Sequence, residues 1–287
     1  MGRAWIVRRL TGQTSERTYT CPGCTHEIRP GTPHVVVWPD DGLGGADDRR
    51  ELALPSVVLV TGTGTEIGKT IATAALTALV LARGSRVAVL KPAQTGLAPG
   101  DAGDVDVVRS LAATPETAAR LTTLEPIRVP EPLAPDVAAR RAGVELPTIA
   151  DHARTARSLA AEHDTVIVEG AGGLLVRLDG RGGTLADLGT ALRYVGTSVG
   201  VVLVADPHLG TLNSIALSAE ALAARSLPLL GVVLGTWPED PGLAETTNVE
   251  EIPSVAGAPL LGRIPTGVGT LEPQTFTTQA PTWLTIR

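Results

Sequence analysis

Aromatic side chains are nearly missing from this 287-residue chain: phenylalanine, tryptophan and tyrosine together make up 2% of it. Hydrophobic residues still reach 43%, so the expected core is aliphatic and rich in alanine. An excess of basic charge is also lacking. The net charge of −6 argues against nonspecific nucleic-acid binding as the main task. No uninterrupted apolar run of about 18 residues occurs, so no membrane span is expected. Met1 to Leu10 carry three arginines but no long apolar stretch and no small-residue cleavage site, which does not read as a secretory signal. There are two cysteines, Cys21 and Cys24, too close together to staple a fold. Internal repeats are absent. These absences make a cytoplasmic location the expectation.

What is present divides the chain at about residue 54. Residues 1–54 hold both cysteines, Trp5, Trp38 and Tyr19, and end in a charged, glycine-rich stretch from Asp40 to Arg50 that reads as a linker. Cys21-Pro22-Gly23-Cys24 has the shape of one half of a zinc knuckle, with only His26 and His34 nearby to complete it. A redox role for the pair would need a thioredoxin-like βαβ setting, which is not there. The bland reading of this segment is a small appendage with free thiols.

From residue 55 to 287, apolar strands alternate with helical patterns, which predicts a parallel sheet covered by helices. Strands are expected at 57–61, 86–90, 165–168, 199–204, 229–234 and 259–264, with a further short one at 174–178. Helices are expected at 69–83, 104–113, 135–142, 148–162, 185–194 and 212–225. Residues 125–135 contain four prolines and read as an extended loop. The tail after Thr270 gives only weak signals.

The most informative stretch runs from Val57 to Thr70. Four apolar residues lead into Thr61-Gly62-Thr63-Gly64-Thr65-Glu66-Ile67-Gly68-Lys69-Thr70, and a helical pattern follows at once. That order is strand, phosphate-cradling loop, helix. The glycines let backbone N–H groups curl around phosphate, Lys69 can neutralise the terminal phosphates, and the Thr70 hydroxyl can ligate Mg²⁺. The helix N-terminus adds its positive dipole end. The usual spacing would put glycine at position 63; here glycines stand on either side of Thr63.

Other chemistry-bearing residues also follow strands: Lys91 after 86–90, Glu169 after 165–168, Asn213 after 199–204 and Gly235 after 229–234. In an open parallel sheet, ligands bind outside the carboxyl ends of the strands, so these residues converge on one edge. Glu169 ends an apolar strand and would be costly to bury unpaired. Mg²⁺ shared with Thr70 is a natural partner, and Asp104 could complete the set. Asp101 and Asp106 lie close to Asp104, and any of the three could instead cap a helix.

Taken together and in order, the motifs resemble those of the dethiobiotin synthetase family. They are Val60 to Thr70, Lys91-Pro92-Ala93-Gln94-Thr95-Gly96, Val168-Glu169-Gly170-Ala171-Gly172-Gly173, and Leu209-Gly210-Thr211-Leu212-Asn213. The resemblance covers about residues 56 to 271. It implies a three-layer α/β fold of the P-loop NTPase type with a mostly parallel central sheet. It also implies ATP-dependent carboxylation and ring closure of 7,8-diaminononanoate with CO₂, through a carbamate and its phosphoric anhydride. By the same resemblance Lys91, Lys69 and Glu66 serve catalysis. The nucleotide meets Thr65, Glu66, Ile67, Gly68, Lys69, Thr70, Asp104, Glu169, Gly170, Ala171, Gly172, Gly235, Thr236, Pro265, Thr266 and Gly267. The other substrate meets Thr95, Pro132, Ala134, Gly210, Thr211, Leu212 and Asn213. Mg²⁺ is expected on Thr70, Asp104 and Glu169. The family implies a homodimer whose active site lies at the interface, with the Gly210–Asn213 segment reaching the far carboxylate of the substrate from the other subunit.

Two departures stand out. Many family members carry Asn-Asp where this chain has Gly235-Thr236, and the Asn reads adenine. ATP is the default nucleotide, with CTP or broad use as the alternative. The other departure is the N-terminal segment, since the family pattern begins near residue 56. Three other readings compete, the blandest being a nucleotide-binding protein that has lost activity. A cobalamin-type amidoligase shares the phosphate loop but carries a downstream glutamine amidotransferase domain, and no cysteine follows Cys24 to serve one. A partitioning-type nucleotide switch would carry a second lysine early in the loop, where Gly64 stands.

Overall fold

The computed structural model describes residues 54–98 and 100–285, together with the backbone of 5–10, 19–20, 27–28 and 34–39. The chain divides into two compact units, Met1–Leu52 and Ala53–Arg287. In the first, β1 (Trp5–Leu10), β2 (Tyr19–Thr20), β3 (Glu27–Ile28) and β4 (His34–Pro39) form two antiparallel pairs, β1 with β4 and β2 with β3. Cys21, Cys24, His26 and the 40–50 linker lie outside the described residues.

The second unit opens with β5 (Val57–Gly62), α1 (Lys69–Ala82), β6 (Val87–Leu90), β7 (Gln94–Thr95) and α2 (Asp104–Ala112). It continues with β8 (Leu121–Leu124), β9 (Arg128–Val129), α3 (Pro135–Ala142), α4 (Ile149–Glu162) and β10 (Thr165–Gly173). Then come α5 (Leu185–Tyr194), β11 (Val199–Ala205), α6 (Thr211–Ala223), β12 (Leu229–Trp237), α7 (Leu243–Ala256), β13 (Leu260–Pro265) and α8 (Pro273–Trp283). Seven strands form one sheet in the order β13-β12-β11-β5-β10-β6-β8, and every pairing in it is parallel.

Side-chain alternation along the strands builds the layers. Val58 and Val60 of β5 face α1, α2 and α8, while Val57 and Leu59 face α4 and α5. Ile215 of α6 and Ile252 of α7 extend that second layer over Leu203 and Leu234. Helices thus cover both faces of a sheet whose strands are apolar almost throughout, as a buried parallel sheet requires. The aliphatic core follows from the composition. The only phenylalanine, Phe276 on α8, is fully buried and meets Trp283 edge-on at 5.2 Å.

Local chemistry explains where helices begin. Thr148 with Asp151, and Thr184 with Asp187, form reciprocal capping boxes at the starts of α4 and α5. The strand expected at 174–178 is absent. The chain turns after Gly173, leaving one isolated bridge between Arg177 and Thr184. Asp179 closes this turn by accepting the N–H groups of Arg181, Gly183 and Ile149. The weak tail after Thr270 contains α8, which starts on Pro273 and buries Phe276 and Ala280 one turn apart. The strand β8 and the helix α7 also form where no element was expected. Pro253 interrupts the pattern of α7, and its buried stripe is only Asn248, Ile252 and Ala256.

Candidate active site

β5 lies between β10 and β11, where the order of strand addition reverses, so a crevice opens at the carboxyl end of β5. The 63–68 loop lies there and passes straight into α1. Gly68, just before the helix, has φ 86°. Glu66 also adopts a left-handed backbone, φ 58°. The Thr65 and Glu66 side chains are exposed, whereas Ile67 is buried. The buried Lys69 donates from Nζ to the Gly64 carbonyl at 2.6 Å. Burial lowers the Lys69 pKa, and the nearby Lys91 ammonium adds to this; Glu169 and Asp104 oppose both.

β6 and β10 run side by side, with Leu90 in register with Val168. The residues that follow this pair, Lys91 just past β6 and Glu169 within β10, therefore reach the same place. Lys91 is 4% exposed and Glu169 1%. Lys91 Nζ lies 2.9 Å from Glu169 Oε1 and 2.5 Å from Asp104 Oδ2, and it donates to the Gly170 carbonyl at 3.1 Å. The Thr70 hydroxyl donates to Glu169 Oε1 at 3.0 Å. Burial lowers the Lys91 pKa, but Glu169 and Asp104 outweigh it and hold it above the ordinary lysine value. Burial likewise pushes Asp104 upward, and Lys91 outweighs it and holds the carboxyl low.

The three aspartates near the start of α2 separate by role. Asp106 accepts the Gly103 N–H and Asp101 accepts the Ala98 N–H, so both close local turns. Asp104 alone turns to the lysine. Thr70, Asp104 and Glu169 offer only oxygen atoms, and Glu169 Oε2 is buried with no hydrogen-bond partner. A hard cation that takes few protein ligands and keeps its waters, such as Mg²⁺, suits that set. Among the described residues no group of three or more His, Cys, Asp and Glu forms a fuller metal cage.

Several other expected residues meet the phosphate loop or one another. Gly235 on β12 backs directly onto the phosphate loop. A Cβ there would overlap the Ile67 carbonyl, and one at Gly68 would overlap the Gly235 carbonyl. Thr236 continues β12 to Trp237, whose carbonyl accepts both the backbone N–H and the hydroxyl of Thr266. The turn at Pro265, Thr266 and Gly267 is thereby joined to Gly235 and Thr236. Gly170, Ala171 and Gly172 follow Glu169, and a Cβ on Gly172 would sit 3.7 Å from the Thr65 methyl. Thr95 lies on β7, which pairs with β9; the next amide, Gly96, donates to the carbonyls of Val129 and Glu131. Pro132 packs against Gly96, and both Pro132 and Ala134 are exposed.

The contacts of Gly210, Thr211, Leu212 and Asn213 are with other parts of the molecule. Gly210, φ 99°, precedes α6 with no side-chain cap, and Leu212 packs toward the β11–α7 cluster. The buried Thr211 hydroxyl has no hydrogen-bond partner, Asn213 is exposed, and Leu209 is 91% exposed. Two supporting residues escaped the sequence reading. Gln94 accepts the Asp104 N–H through Oε1 at 3.0 Å. The buried Asn248 on α7 donates to the carbonyls of Pro207 (2.8 Å) and His208 (3.3 Å), just before the α6 entrance. Gln94 was visible inside the Lys91–Gly96 motif; Asn248 was hidden with its helix, though Asn248, Ile252 and Ala256 at steps of four were a signal.

A family model described as an AAA domain matches residues 56–273, and a second, described as Rv1322 family protein, matches residues 1–52. The ATP-dependent dethiobiotin synthetase BioD of Streptomyces avermitilis is 52% identical over 234 residues, spanning 81% of this chain and 93% of that protein. The enzyme of the same name from Saccharopolyspora erythraea is 53% identical over 221 residues, 77% of this chain and 92% of the relative. That of Rhodococcus jostii is 47% identical over 228 residues, 79% and 94% of the two chains. Likeness to a solved ParA family ATPase from Chlorobium tepidum is slighter, with a TM-score of 0.49 and 14% identity over 80% of this chain and 93% of that one.

Proposed function

This chain belongs to the ATP-dependent dethiobiotin synthetase family, and from that membership we propose how its own residues carry the reaction. One amine of 7,8-diaminononanoate adds to CO₂ and, after losing a proton, becomes a carbamate. A carbamate oxygen attacks the γ-phosphate of the nucleoside triphosphate, and the diphosphate leaves. The second amine attacks the carbonyl carbon of the mixed anhydride, inorganic phosphate departs, and the ureido ring of dethiobiotin closes. Phosphoryl transfer of this kind needs positioning and charge neutralisation rather than a protein nucleophile.

The observation that carries the assignment is the buried cluster of Lys91, Glu169, Asp104 and Thr70 beside Lys69. Lys69 and Lys91 supply positive charge where the γ-phosphate and the anhydride develop negative charge. Glu66, exposed on the loop, offers a carboxylate to the amines. Bound Mg²⁺, held by Thr70, Asp104 and Glu169, would neutralise phosphate oxygens. Thr95, Pro132 and Ala134 line the path of the substrate. The start of α6 at Gly210–Asn213, which has no side-chain cap, suits its terminal carboxylate, with the enzyme acting as a homodimer that brings this segment to the other subunit's Lys91. The base is read with no side chain at Gly235, which favours either ATP or CTP.

We also assign residues 1–54 to an accessory segment and 55–287 to the synthetase domain, in line with the family matches at 1–52 and 56–273. No helix among the described residues is long and apolar enough to cross a membrane, and a cytoplasmic location fits a biosynthetic ligase. Neither the cobalamin-type amidoligase nor the partitioning switch is favoured by the relatives. The test is an assay with diaminononanoate and bicarbonate, run in parallel with ATP and CTP. Nucleotide consumption should depend on both substrates and yield dethiobiotin by mass spectrometry. Robust hydrolysis without them, or no ureido product, would overturn the reading.

A further inference from the structure

The start of α2 presents a helix end that cannot cap itself. Gly103, at the cap position, has no side chain to accept the first N–H groups. A side chain there would first have to displace the Glu125 carboxylate, which a Cβ would overlap, and the Arg128 guanidinium, which it would meet at 2.6 Å. Asp106 reaches back to the Gly103 N–H. The N–H of Asp104 itself is taken by Gln94, a residue ten positions earlier in another element.

Gln94 is well held for this. It is 6% exposed, and its backbone N–H donates to the Ile127 carbonyl. Its side-chain amide donates to the Thr95 carbonyl at 3.2 Å, which fixes which end of the amide faces Asp104. The hydrogen bond it accepts pins the backbone of the residue whose carboxylate lies 2.5 Å from Lys91 Nζ. Lys91 and Glu169 are set by adjacent strands, but Asp104 stands on a helix reached through the 96–103 loop. Of the three charged partners, Asp104 is the one whose position depends on a side chain.

We propose that Gln94 is a positioning residue: it caps α2 from outside the helix and thereby holds the Asp104 carboxylate in the lysine and metal cluster. This rests on the reading of Asp104 as a Mg²⁺ ligand.

The test is Mn²⁺ binding to the full-length protein, followed by electron paramagnetic resonance with adenosine β,γ-methylene triphosphate present and no turnover. Gln94→Leu should weaken Mn²⁺ binding by about tenfold, the scale of one buried hydrogen bond. In an Asp104→Asn background the same change should alter it less than about twofold, because the group it positions is gone. In steady state, the KM for diaminononanoate should stay within about twofold of the wild type. An equal loss in both backgrounds would overturn the proposal. So would unchanged Mn²⁺ binding with a raised KM, which would assign Gln94 to Thr95. Gln94→Glu keeps the acceptor for the Asp104 N–H and guards against a leucine variant that fails to fold. It should bind Mn²⁺ no more weakly than the wild type, and a loss as large as about tenfold would count against the role. Wild-type protein that makes no dethiobiotin would sink the functional reading, while the Mn²⁺ comparison would still decide the role of Gln94.

Discussion

The two ends of the proposed site are built in opposite ways. At the β5–β10–β6 end, charge is paired within one chain, although Glu169 Oε2 is left without a hydrogen-bond partner: Lys91 meets Glu169, Asp104 and the Gly170 carbonyl, and Lys69 meets the Gly64 carbonyl. At the β11–α6 end, the helix entrance is uncapped, the Thr211 hydroxyl has no partner, and Leu209 and Asn213 face outward. The first end must stabilise charge that exists only during phosphoryl transfer, which rewards rigid placement in a dry pocket. In the proposed reaction the second would only have to hold a carboxylate far from the reacting atoms, which the start of a helix can do. Its support comes from behind, where Asn248 grips two carbonyls of the 206–210 turn and Glu245 meets His208 Nδ1 at 2.7 Å.

The sharpest way to break this contrast is Lys91→Ala. It should lower dethiobiotin formation by about 10³-fold while the far-ultraviolet circular dichroism stays that of a folded protein. Unchanged turnover would remove Lys91 from the mechanism. Next in size is Gly235→Asn. A Cβ there overlaps the Ile67 carbonyl, so the phosphate loop must shift, at an overpacking cost of about 1–3 kcal/mol. The KM for both ATP and CTP should rise by about tenfold or more. A variant that kept wild-type nucleotide KM values would show that the loop yields freely.

At the open end, Asn248→Ala should raise the KM for diaminononanoate by about tenfold and leave kcat within about twofold, because it loosens an anchor and not the chemistry. A fall in kcat with unchanged KM would place Asn248 on the other side of the comparison. The smallest effect concerns pH. The Glu245 carboxylate, aided by Asp206, holds the His208 pKa above its ordinary value. The contact is therefore fully charged below about pH 6.5 and is lost as pH rises through the raised value. Because His208 is largely exposed, the KM for diaminononanoate should climb by less than about threefold across that window, after allowing for solvent screening. His208→Gln should flatten this rise relative to the wild type, as steady-state kinetics from pH 6 to 8.5 would show. An identical slope in the variant would remove His208 from the anchor.

Legibility in the sequence follows the same divide. β5, β6, β10 and β11 are continuous apolar runs, each ending in a chemical motif, so both strand and site residue could be read together. The parallel sheet and the residues after its strands came from that pattern alone. What stayed hidden depends on neighbours in space. α7 carries Pro253 and only three buried positions, and α8 has Pro281 inside it. Their helicity is imposed by packing that local propensity does not announce. The turn at 174–178 looked like a strand because its residues are apolar; the Asp179 carboxylate, which bends it, exerts its effect through backbone groups up to 30 positions away. The residue pattern alone left Asp104 level with Asp101 and Asp106; only the family resemblance singled it out, and in the structure it is the one against Lys91.

The lysine between the two carboxylates also bears on the life of the protein between turnovers. Sites that gather acidic groups for a metal commonly leave them repelling one another when the ion departs, and folding then depends on metal supply. Here the chain carries its own counter-ion. Lys91 pairs with both Asp104 and Glu169 from within the sheet and offsets part of their repulsion, so folding should not require an ion. If the proposed Mg²⁺ site is the working one, exhaustive treatment with a chelator should abolish turnover and leave the melting temperature nearly unchanged.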